Sequence, residues 1–414
     1  MTYTPTSLLT VYLDAGERRK VGRLALRKRQ ILFEYDPEFL ASGIELSPFK
    51  LPLRAGVSTA SDTIFDGLHG VFNDSLPDGW GRLLLDRTVQ RHGIGRSQLN
   101  ALDRLAYVGR NGMGALSYEP DRSGESGNDT PLALDRLAEE TAIMLAGESE
   151  EIFEEMLSLN GSSAGARPKI VAQVSRDKSK IIHGQPELKR GFDHWMIKFA
   201  SSQDPRDVGA IEYAYSLMAR AAGVDMPETH LFRTRKRGYF GVKRFDRQGN
   251  QRVHMHSLSG LIHADHHIPA LDYNMILRVV LALTKNIVEV EKAYALACFN
   301  VLAHNRDDHS KNFSFVLDEV HGWVFAPAYD LTFSGGPAGE QSTMVMGEGK
   351  NPGVEQLRAL GKEHSLKNAP RILAKVQAAV ARWRHHAAKA AVSAKSTKAI
   401  AAAIGPLRPS TRKL

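Results

Sequence analysis

The sequence predicts an α+β fold with a β-rich N-terminal part and a mainly helical C-terminal part. Short apolar runs separated by charged turns fill the first sixty positions and indicate strands. Loops and strands predominate from about residue 160, and apolar residues recur at helical spacing after about residue 260. Because strands and helices occupy separate blocks, the pattern does not indicate an alternating, doubly wound sheet.

The individual elements follow from local periodicity and from turn signals such as the Pro-Asp-Gly before the first long helix. The predicted strands are Leu8–Leu13, Val21–Leu26, Ile31–Tyr35, Ile170–Val174, His194–Ala200, Phe313–Leu317 and Gly322–Phe325. The predicted helices are Trp80–Arg91, Leu132–Leu145, Ser149–Leu157, Ile211–Arg220 and Leu296–His304. We find no internal repeat.

Composition places the chain among ordinary globular proteins. It has 414 residues, of which 43% are hydrophobic and 24% are charged, and this length favours two or three domains or lobes. Its single cysteine, Cys298, lies in an apolar helical stretch, so we expect a buried, inert thiol and no disulfide within the chain. No segment approaches the roughly 20 apolar residues that span a bilayer. The polar start lacks a signal-peptide pattern, so we expect a cytoplasmic protein without membrane contact.

The net charge of +8 comes from one segment. From Ala381 to the C-terminus there are eight Lys or Arg residues and no Asp or Glu, so the remaining chain is formally neutral. One interpretation is a solvated, Ala-rich helix followed by a frayed end. The other is a weak contact with the phosphate backbone of a nucleic acid.

The stretch Gly161–Lys169 is rich in small residues and precedes a predicted strand. Glycine and other small residues let backbone N–H groups approach phosphate oxygens closely. The stretch matches neither of the two common Gly-rich nucleotide motifs. A phosphate-binding loop and a flexible connection therefore remain alternative interpretations.

Lys198 lies inside an otherwise apolar predicted strand. A buried ammonium group needs a partner, and an ATP phosphate would supply one; a side chain that reaches out to solvent is the alternative. The helix that follows contains Glu212, which is a candidate ion-pair partner for Lys198 as in protein kinases. An exposed surface glutamate is equally compatible with the sequence.

Asp307 and Asn312 carry the clearest chemical signal. They are separated by four residues in an irregular polar stretch between a helix and an aromatic strand, which is the Asp-x-x-x-x-Asn spacing of the kinase catalytic loop. There the aspartate accepts the substrate hydroxyl proton, the asparagine binds a metal ion, and Lys311 could neutralise charge on the transferred phosphoryl group. Asp308 competes for the role of base, although the spacing favours Asp307. The alternative is a turn in which side chains cap backbone groups.

Asp330 follows a short strand and comes eighteen positions after Asn312. This interval leaves room for a hairpin that would return Asp330 to the vicinity of Asn312. The two residues would then supply oxygen ligands for Mg²⁺. Taken alone, an aspartate after a strand indicates only a turn.

These segments, with several others, closely resemble the HipA family, the toxin kinases of bacterial type II toxin–antitoxin systems. The resemblance covers nearly the whole chain, and the catalytic segment is its most specific part. The matching motifs are Ser75–Gly81, Gly109–Leu116, Ser163–Lys169, Val242–Arg247, Asp307–Ser314 and Pro327–Asp330.

The resemblance implies a two-lobed, protein-kinase-like fold that is related to phosphoinositide kinases and carries an additional β-rich N-terminal subdomain. The implied domains are an N-terminal subdomain (1–130), an N-lobe-like region with the Gly-rich loop, the lysine strand and the hinge (131–246), and a helical C-lobe with the catalytic loop and basic tail (247–414). The motif around Asp330 is not Asp-Phe-Gly, so the activation-loop logic of eukaryotic kinases does not transfer.

The resemblance also implies roles for individual residues. Asp307 would be the catalytic base and Lys311 its neighbour in the catalytic loop, with Asn312 and Asp330 as Mg²⁺ ligands. The implied ATP-binding residues are Ser163, Ala164 and Gly165 in the phosphate loop, Lys198 at the phosphates, and Lys243 and Phe245 in the hinge beside adenine. Ser162 best matches the serine whose autophosphorylation silences relatives, with Ser163 as its neighbour. Arg167 departs from the Gln of several relatives.

The implied activity is an ATP- and Mg²⁺-dependent protein Ser/Thr kinase that inhibits growth. In relatives the protein substrate is an aminoacyl-tRNA synthetase. The implied partners are a HipB-like DNA-binding antitoxin and, through it, DNA, with the basic tail as an additional candidate contact. The alternative is a binding module of the same fold that acts mainly as a co-repressor by docking the antitoxin on operator DNA.

Overall fold

The computed structural model describes residues 3–60, 64–91, 93–124, 131–146, 156–157, 159, 165, 167–184, 187–318 and 322–405. The chain forms two compact units. The first contains Met1–Asp204 and Thr234–Ala264, and the second contains Pro205–Arg233 and Asp265–Leu414. The domain boundaries predicted at residues 130 and 246 come from the family resemblance; these two units do not test them, and they stay a prediction.

The strands of the described ranges confirm every predicted strand, with ends shifted by no more than a few positions. In chain order they are β1 (Leu8–Leu13), β2 (Arg19–Arg27), β3 (Gln30–Tyr35), β4 (Val57–Ser58), β5 (Leu116–Glu119), β6 (Lys169–Ser175), β7 (Ile181–His183), β8 (Phe192–Lys198), β9 (Thr229–Arg233), β10 (Gly238–Lys243), β11 (Arg247–Gln248), β12 (Gln251–Arg252), β13 (His254–Ser257), β14 (Leu271–Asp272), β15 (Ser314–Asp318), β16 (Gly322–Phe325) and β17 (Thr343–Met344).

The helices confirm four of the five predicted helices, and most of the fifth, Ser149–Leu157, lies outside the described residues. In chain order they are α1 (Pro37–Ser42), α2 (Gly70–Asn73), α3 (Gly79–Arg91), α4 (Ala101–Val108), α5 (Leu134–Ala146), α6 (Val208–Ala222), α7 (Leu258–Ile262), α8 (Tyr273–Thr284), α9 (Ile287–Leu302), α10 (Val354–Glu363), α11 (Ala369–Val380), α12 (Trp383–Ala390) and α13 (Ala394–Ile404).

The first unit begins with an antiparallel sheet of five strands in the order β4-β3-β2-β1-β5. Alternate residues of β1, namely Leu9, Val11 and Leu13, are buried, as period-2 hydrophobicity requires of a sheet with one face on the core. Opposite them, Leu24 pairs with both Leu9 and Phe33 across the neighbouring strands. The apolar face packs on α1, α2 and α4, so the N-terminal region has a core of its own.

A second antiparallel sheet of the first unit positions the predicted ATP lysine. β6 lies between β7 and β8, and β8 pairs on its other side with β10. Lys198 at the end of β8 is therefore directly opposite Lys169 on β6 and Phe240 on β10.

Inside the first unit, a buried charge network joins two of the segments that carry family motifs. The Asp246 carboxylate accepts hydrogen bonds from the Gly114 backbone N–H (2.8 Å) and from the guanidinium groups of Arg244 (2.7 Å) and Arg247 (2.8 Å). Burial alone would raise the pKa of Asp246, but the charges of the two arginines and these hydrogen bonds hold it well below its usual range. Asp246 is thus a buried, ionised centre that fixes the Gly-rich turn at Gly114.

The second unit is mainly helical, and its helix α6 ends near the glycine that the sequence predicts. Gly223 caps α6 in the left-handed conformation (φ 82°), which residues with a Cβ rarely adopt. Around α6 pack α11 and α12, while α8 and α11 pack on α9. No helix among the described residues is long and apolar enough to cross a membrane.

The C-terminal segment is the solvated helix that its alanines suggest only in part, since α13 is mostly exposed whereas α12 packs on α6. Trp383 at the start of α12 is buried and lies edge-on to Tyr215 of α6, with ring centroids 5.4 Å apart. Ala387 and Ala390, one and two turns later, are also buried, because their small side chains let α12 approach α6 closely. The basic residues stay exposed at Lys395 and elsewhere, so the packing leaves their charge accessible.

We predict that Asp246→Asn lowers the free energy of unfolding by about 3–5 kcal/mol, because it leaves two buried guanidinium groups without their counter-charge. Urea unfolding followed by circular dichroism measures this change. Asp66→Asn, the same substitution at an exposed position, is the matched control and should change the unfolding free energy by less than about 0.5 kcal/mol. Equal stabilities of the two variants would contradict the role given to Asp246.

Candidate active site

In the second unit, the end of helix α9 leads into the loop that carries the predicted catalytic residues. The Asp307 side chain is 60% exposed, so its carboxylate is accessible to a substrate. Asn312 lies in a short 3₁₀ turn, and its side-chain amide donates a hydrogen bond to the Asp307 carbonyl oxygen at 2.6 Å. The loop therefore folds back on itself and brings Asp307 and Asn312 together.

The side chain of Asp308, the competing candidate for the base, lies in the protein interior. It is fully buried and accepts hydrogen bonds from the Tyr273 hydroxyl (2.5 Å), the Gln341 side-chain amide (2.8 Å) and the Thr343 backbone N–H (3.1 Å). A carboxylate enclosed in this way cannot reach a substrate hydroxyl. Of the two aspartates, only Asp307 is accessible, while Asp308 holds the loop through its hydrogen bonds; the role of Asp307 as base stays a prediction.

Burial raises the pKa of Asp308 to about 7, although the hydrogen bonds from Gln341, Tyr273 and Thr343 act in the opposite direction. The parallel pair β14–β17 explains how its three partners assemble. Leu271 pairs with Thr343, so the strands place Tyr273 and the segment from Gln341 to Thr343 side by side. Sequence analysis did not identify these partners, because more than thirty positions separate each from Asp308.

A chain of buried amides extends this anchor toward helix α9. Asn305 donates to the Asn300 side chain (2.9 Å), and Asn300 donates to the Tyr273 hydroxyl (2.9 Å), which in turn donates to Asp308. Each group donates a hydrogen bond to the next, and such connected networks restrict the backbone conformation. The end of the helix and the start of the loop are thereby fixed together.

The structure contains the hairpin that was predicted to return Asp330 to the catalytic loop. β15 and β16 pair antiparallel, and Phe315 is opposite Phe325. Beyond the hairpin, the Tyr329 hydroxyl donates to the Lys311 carbonyl oxygen at 2.6 Å. The residue before Asp330 thus contacts the residue before Asn312, so the two chain segments are adjacent.

Asp330 itself adopts a left-handed backbone conformation (φ 57°). Among residues with a side chain, Asp and Asn tolerate this region best, and its occupation is more frequent at functional sites than elsewhere. Asn312 and Asp330 offer an amide oxygen and a carboxylate, which are ligand types that Mg²⁺ accepts. Metal binding by this pair stays a prediction.

In the first unit, Lys198 and Lys169 form a buried cationic pair on neighbouring strands. Lys198 is 8% exposed and Lys169 is 3% exposed, and the Lys198 ammonium lies 5.8 Å from the centre of the Phe240 ring. The two residues are directly opposite each other, so both side chains lie on one face of the sheet; binding of a phosphate there stays a prediction. The sequence alone did not single out Lys169 for this role.

Gly165 lies directly at this lysine pair. Its backbone carbonyl accepts a hydrogen bond from the Trp80 N–H (3.1 Å), and its N–H donates to the Asp78 carboxylate. A Cβ at Gly165 would collide with the Lys169 ammonium, and the φ of 112° also excludes most other residues. Of the predicted phosphate-loop residues, Gly165 is therefore placed beside Lys169. Ser162, Ser163 and Ala164 lie outside the described residues.

The remaining predicted residues have ordinary structural surroundings. Lys243 ends β10 and forms an ion pair with Asp193 (3.0 Å), while Phe245 is half-buried in the following turn. Glu212 is buried in α6 of the second unit and is not the exposed glutamate of the alternative interpretation. Its pairing with Lys198 stays a prediction.

An arrangement of Ser47, His256 and Asp74 in the first unit has the connectivity of a hydrolytic triad. The His256 ring lies 2.9 Å from the Ser47 hydroxyl and 2.6 Å from the Asp74 carboxylate. Neither Ser47 nor His256 is exposed to solvent beyond 1%, so no substrate can reach the hydroxyl. Asp74 also accepts hydrogen bonds from the backbone and side chain of Ser257, which identifies the group as a structural clamp.

Comparison with known proteins gives a consistent family assignment. A family model described as the HipA-like C-terminal domain matches residues 161–386, and one described as the HipA N-terminal domain matches residues 9–119. A search of curated protein sequences finds no match.

Two solved structures are similar to the chain to different extents. A chain of the Shewanella oneidensis MR-1 complex of HipA, HipB and operator DNA has 18% sequence identity and a TM-score of 0.67, covering 96% of this chain and 94% of that chain. This similarity confirms the predicted α+β fold class. The Helicobacter pylori proinflammatory kinase CtkA has 11% identity and a TM-score of 0.32, covering 51% of this chain and 85% of that chain. A TM-score this low does not show that the two chains share a fold.

We predict that Asp308 makes the fold less stable as the pH rises toward neutrality. Folded Asp308 keeps its proton up to about pH 7, whereas an unfolded aspartate releases it near 3.8, so between these values the native state binds more protons. The free energy of unfolding then falls by up to about 1.4 kcal/mol per pH unit from this group alone. Asp308→Asn should therefore flatten the pH dependence of stability in this interval.

Urea unfolding at several pH values between about 5 and 7 measures the slope for wild type and Asp308→Asn. Asp66→Asn, at an exposed aspartate, serves as the control and should keep the wild-type slope. An unchanged slope in Asp308→Asn would show that the buried carboxyl ionises at its ordinary pH.

Proposed function

The chain belongs to the HipA family, and from this premise we propose that it is an ATP- and Mg²⁺-dependent protein Ser/Thr kinase. The observation that carries the proposal is the difference in solvent exposure between two adjacent aspartates, Asp307 and Asp308. Asp308 is buried and anchors the loop, which leaves the neighbouring Asp307 carboxylate exposed and its backbone fixed by Asn312. A general base needs this combination of accessibility and rigid support.

In the proposed reaction, the substrate hydroxyl oxygen attacks the γ-phosphorus of ATP, the bond to the β,γ-bridging oxygen breaks, and ADP leaves. Asp307 takes the hydroxyl proton as the new O–P bond forms. Lys311 follows in the same loop and would offset negative charge on the transferred group. Mg²⁺, held by Asn312 and Asp330, would neutralise charge on the phosphate oxygens.

The buried lysine pair supports the assignment of the ATP phosphates to Lys198. Lys169 is directly opposite Lys198, and its ammonium lies against Gly165, where the φ of 112° disfavours any residue with a side chain. A phosphate group beside these residues would receive two positive charges and an open backbone. Lys243 and Phe245 are proposed to line the adenine end, where Lys243 already has Asp193 as its partner.

We extend the proposal to the biological role. The similar Shewanella chain comes from a complex of HipA, HipB and operator DNA, and the likeness extends over 96% of the present chain. By analogy, this protein is proposed to be a growth-inhibiting cytoplasmic toxin that binds a HipB-like antitoxin and, through it, DNA. Exposed basic residues such as Lys395 and Lys398 are candidates for a direct DNA contact. The proposed protein substrate is a translation component such as an aminoacyl-tRNA synthetase.

The second candidate function is a co-repressor that docks the antitoxin on operator DNA and does not depend on catalysis. The same similarity to a DNA-bound complex favours it. The two functions differ in one requirement, since co-repression does not need an accessible carboxylate at Asp307. The accessible Asp307 therefore favours the kinase.

We predict that Asp307→Asn lowers phosphoryl transfer by about 100-fold or more, because the amide cannot accept the hydroxyl proton. Wild type and variant are incubated with labelled ATP, Mg²⁺ and a cell lysate, and label on protein is counted. ATP affinity, measured separately by calorimetry, should change little, since Asp307 is assigned to the hydroxyl and not to the nucleotide.

Asp66→Asn, at an exposed site, is the control and should label protein at the wild-type rate. A folded wild type that labels no protein, but represses with its antitoxin as well as Asp307→Asn does, would establish the co-repressor function instead. Full activity in Asp307→Asn would remove Asp307 from the role of base.

We also predict that the protein phosphorylates itself on Ser162. A phosphate of about two negative charges on a loop that holds phosphate would repel the nucleotide. After incubation with ATP, phosphopeptide mapping should find the modification in wild type and in Ser163→Ala, but not in Ser162→Ala. A phosphate located only at other positions would refute this assignment.

A further inference from the structure

A second group of potential ligands lies next to the catalytic loop in the second unit. Asp265, His266 and His267 are consecutive, and one ligand atom from each lies within 4.8 Å of the others. His309, two residues after Asp307, approaches the same group, since its ring centroid is 5.7 Å from that of His266. Two imidazoles and one carboxylate therefore meet within 4.8 Å, and the imidazole of His309 lies beside them.

We propose that Asp265, His266, His267 and His309 form a binding site for a divalent transition-metal ion such as Zn²⁺. The site goes beyond the proposed kinase function and does not depend on it. It differs from the predicted Mg²⁺ site in its ligands, since Asn312 and Asp330 supply only oxygen.

The ligand types select the metal. Imidazole nitrogen suits Zn²⁺ and its first-row neighbours, whereas Mg²⁺ prefers oxygen ligands. Zinc accepts four ligands in a tetrahedron with Zn–N distances of about 2.0–2.1 Å, which places the rings of two ligating histidines about 5 Å apart. The ring centroid of His266 lies 5.7 Å from that of His309 and 3.9 Å from that of His267, so the first pair must approach and the second must separate by about 1 Å to reach this geometry.

His309 supplies an independent observation. Its Nδ1 atom is buried and has no hydrogen-bond partner among the described residues. A buried polar atom without a partner costs free energy, and coordination to a metal ion would satisfy it. The other ring nitrogen, Nε2, lies 4.0 Å from the Asp307 carboxylate, and an acidic neighbour commonly orients a metal-binding histidine.

The site is also accessible to ions. The His267 side chain is 76% exposed and that of Asp265 is 34% exposed, so an ion can enter from solvent. Without an ion, the His267 ring and its backbone N–H both hydrogen bond to the Asp265 carboxylate at 2.9 Å. These two hydrogen bonds close a turn between Asp265 and His267. A metal ion would replace the hydrogen bond from the His267 ring and leave the one from its backbone N–H in place.

The test is a Zn²⁺ titration of the full chain, monitored by isothermal calorimetry without nucleotide and with excess Mg²⁺ to occupy the oxygen site. Wild type should bind one Zn²⁺. His266→Ala and His309→Ala should each weaken binding by at least about tenfold, because even the outer-shell partners of metal ligands contribute that much. His385→Ala removes an exposed histidine from helix α12 and should bind like wild type.

Two further measurements keep the proposal falsifiable. Circular dichroism checks folding, and His267→Ala, at a side chain that is 76% exposed, provides a variant that cannot lose binding through unfolding of the core. Co²⁺ substituted for Zn²⁺ should give the intense visible absorption of tetrahedral coordination in wild type and lose it in His266→Ala. Failure of wild type to bind Zn²⁺, or equal binding by all variants, would overturn the site. Because no step uses ATP, this result is independent of the kinase assay.

Discussion

The buried Asp308 carboxyl is the constraint on which the conformation of the candidate site loop depends. It collects hydrogen bonds from a helix residue, Tyr273, and from two residues of a later segment, Gln341 and Thr343. A group that is deprived of water and surrounded by donors has few alternative positions, so the loop around it has few as well. While Asp308 is held in the interior, the side chain of the adjacent Asp307 is 60% exposed.

Much of the fold could be predicted because its signals are local. The alternation in β1 and the apolar run of β8 identify strands without reference to distant residues. The spacing of Asp307 and Asn312 is likewise contained in a single loop. The neighbours of Asp308 could not be predicted, since Tyr273 and Gln341 reach it only through the folding of other elements.

The C-terminal helices show a different limit of sequence analysis. Alanine-rich segments carry little contrast between faces, so periodicity does not reveal which side is buried. Trp383 was the available signal: a large aromatic residue in such a segment usually packs against something, and it packs on Tyr215. The net charge of this segment follows directly from the sequence. It does not reveal which face of the helix is buried and which carries the exposed basic residues. Burial of the helix and accessibility of its charge are compatible because they belong to opposite faces.

The ion network around Asp246 has a consequence for how members of such a family can be recombined. Asp246 and Arg247 bind Gly114 through its backbone, so a polar contact spans more than 130 positions of the chain. In a chimaera of two relatives, any crossover between positions 114 and 246 would take Gly114 from one parent and Asp246 and Arg247 from the other. Chimaeras should tolerate crossovers only where both parents present the same turn geometry at Gly114 and the same buried charge at Asp246. Because of the network, substitutions near Gly114 and near Asp246 are expected to occur together in evolution.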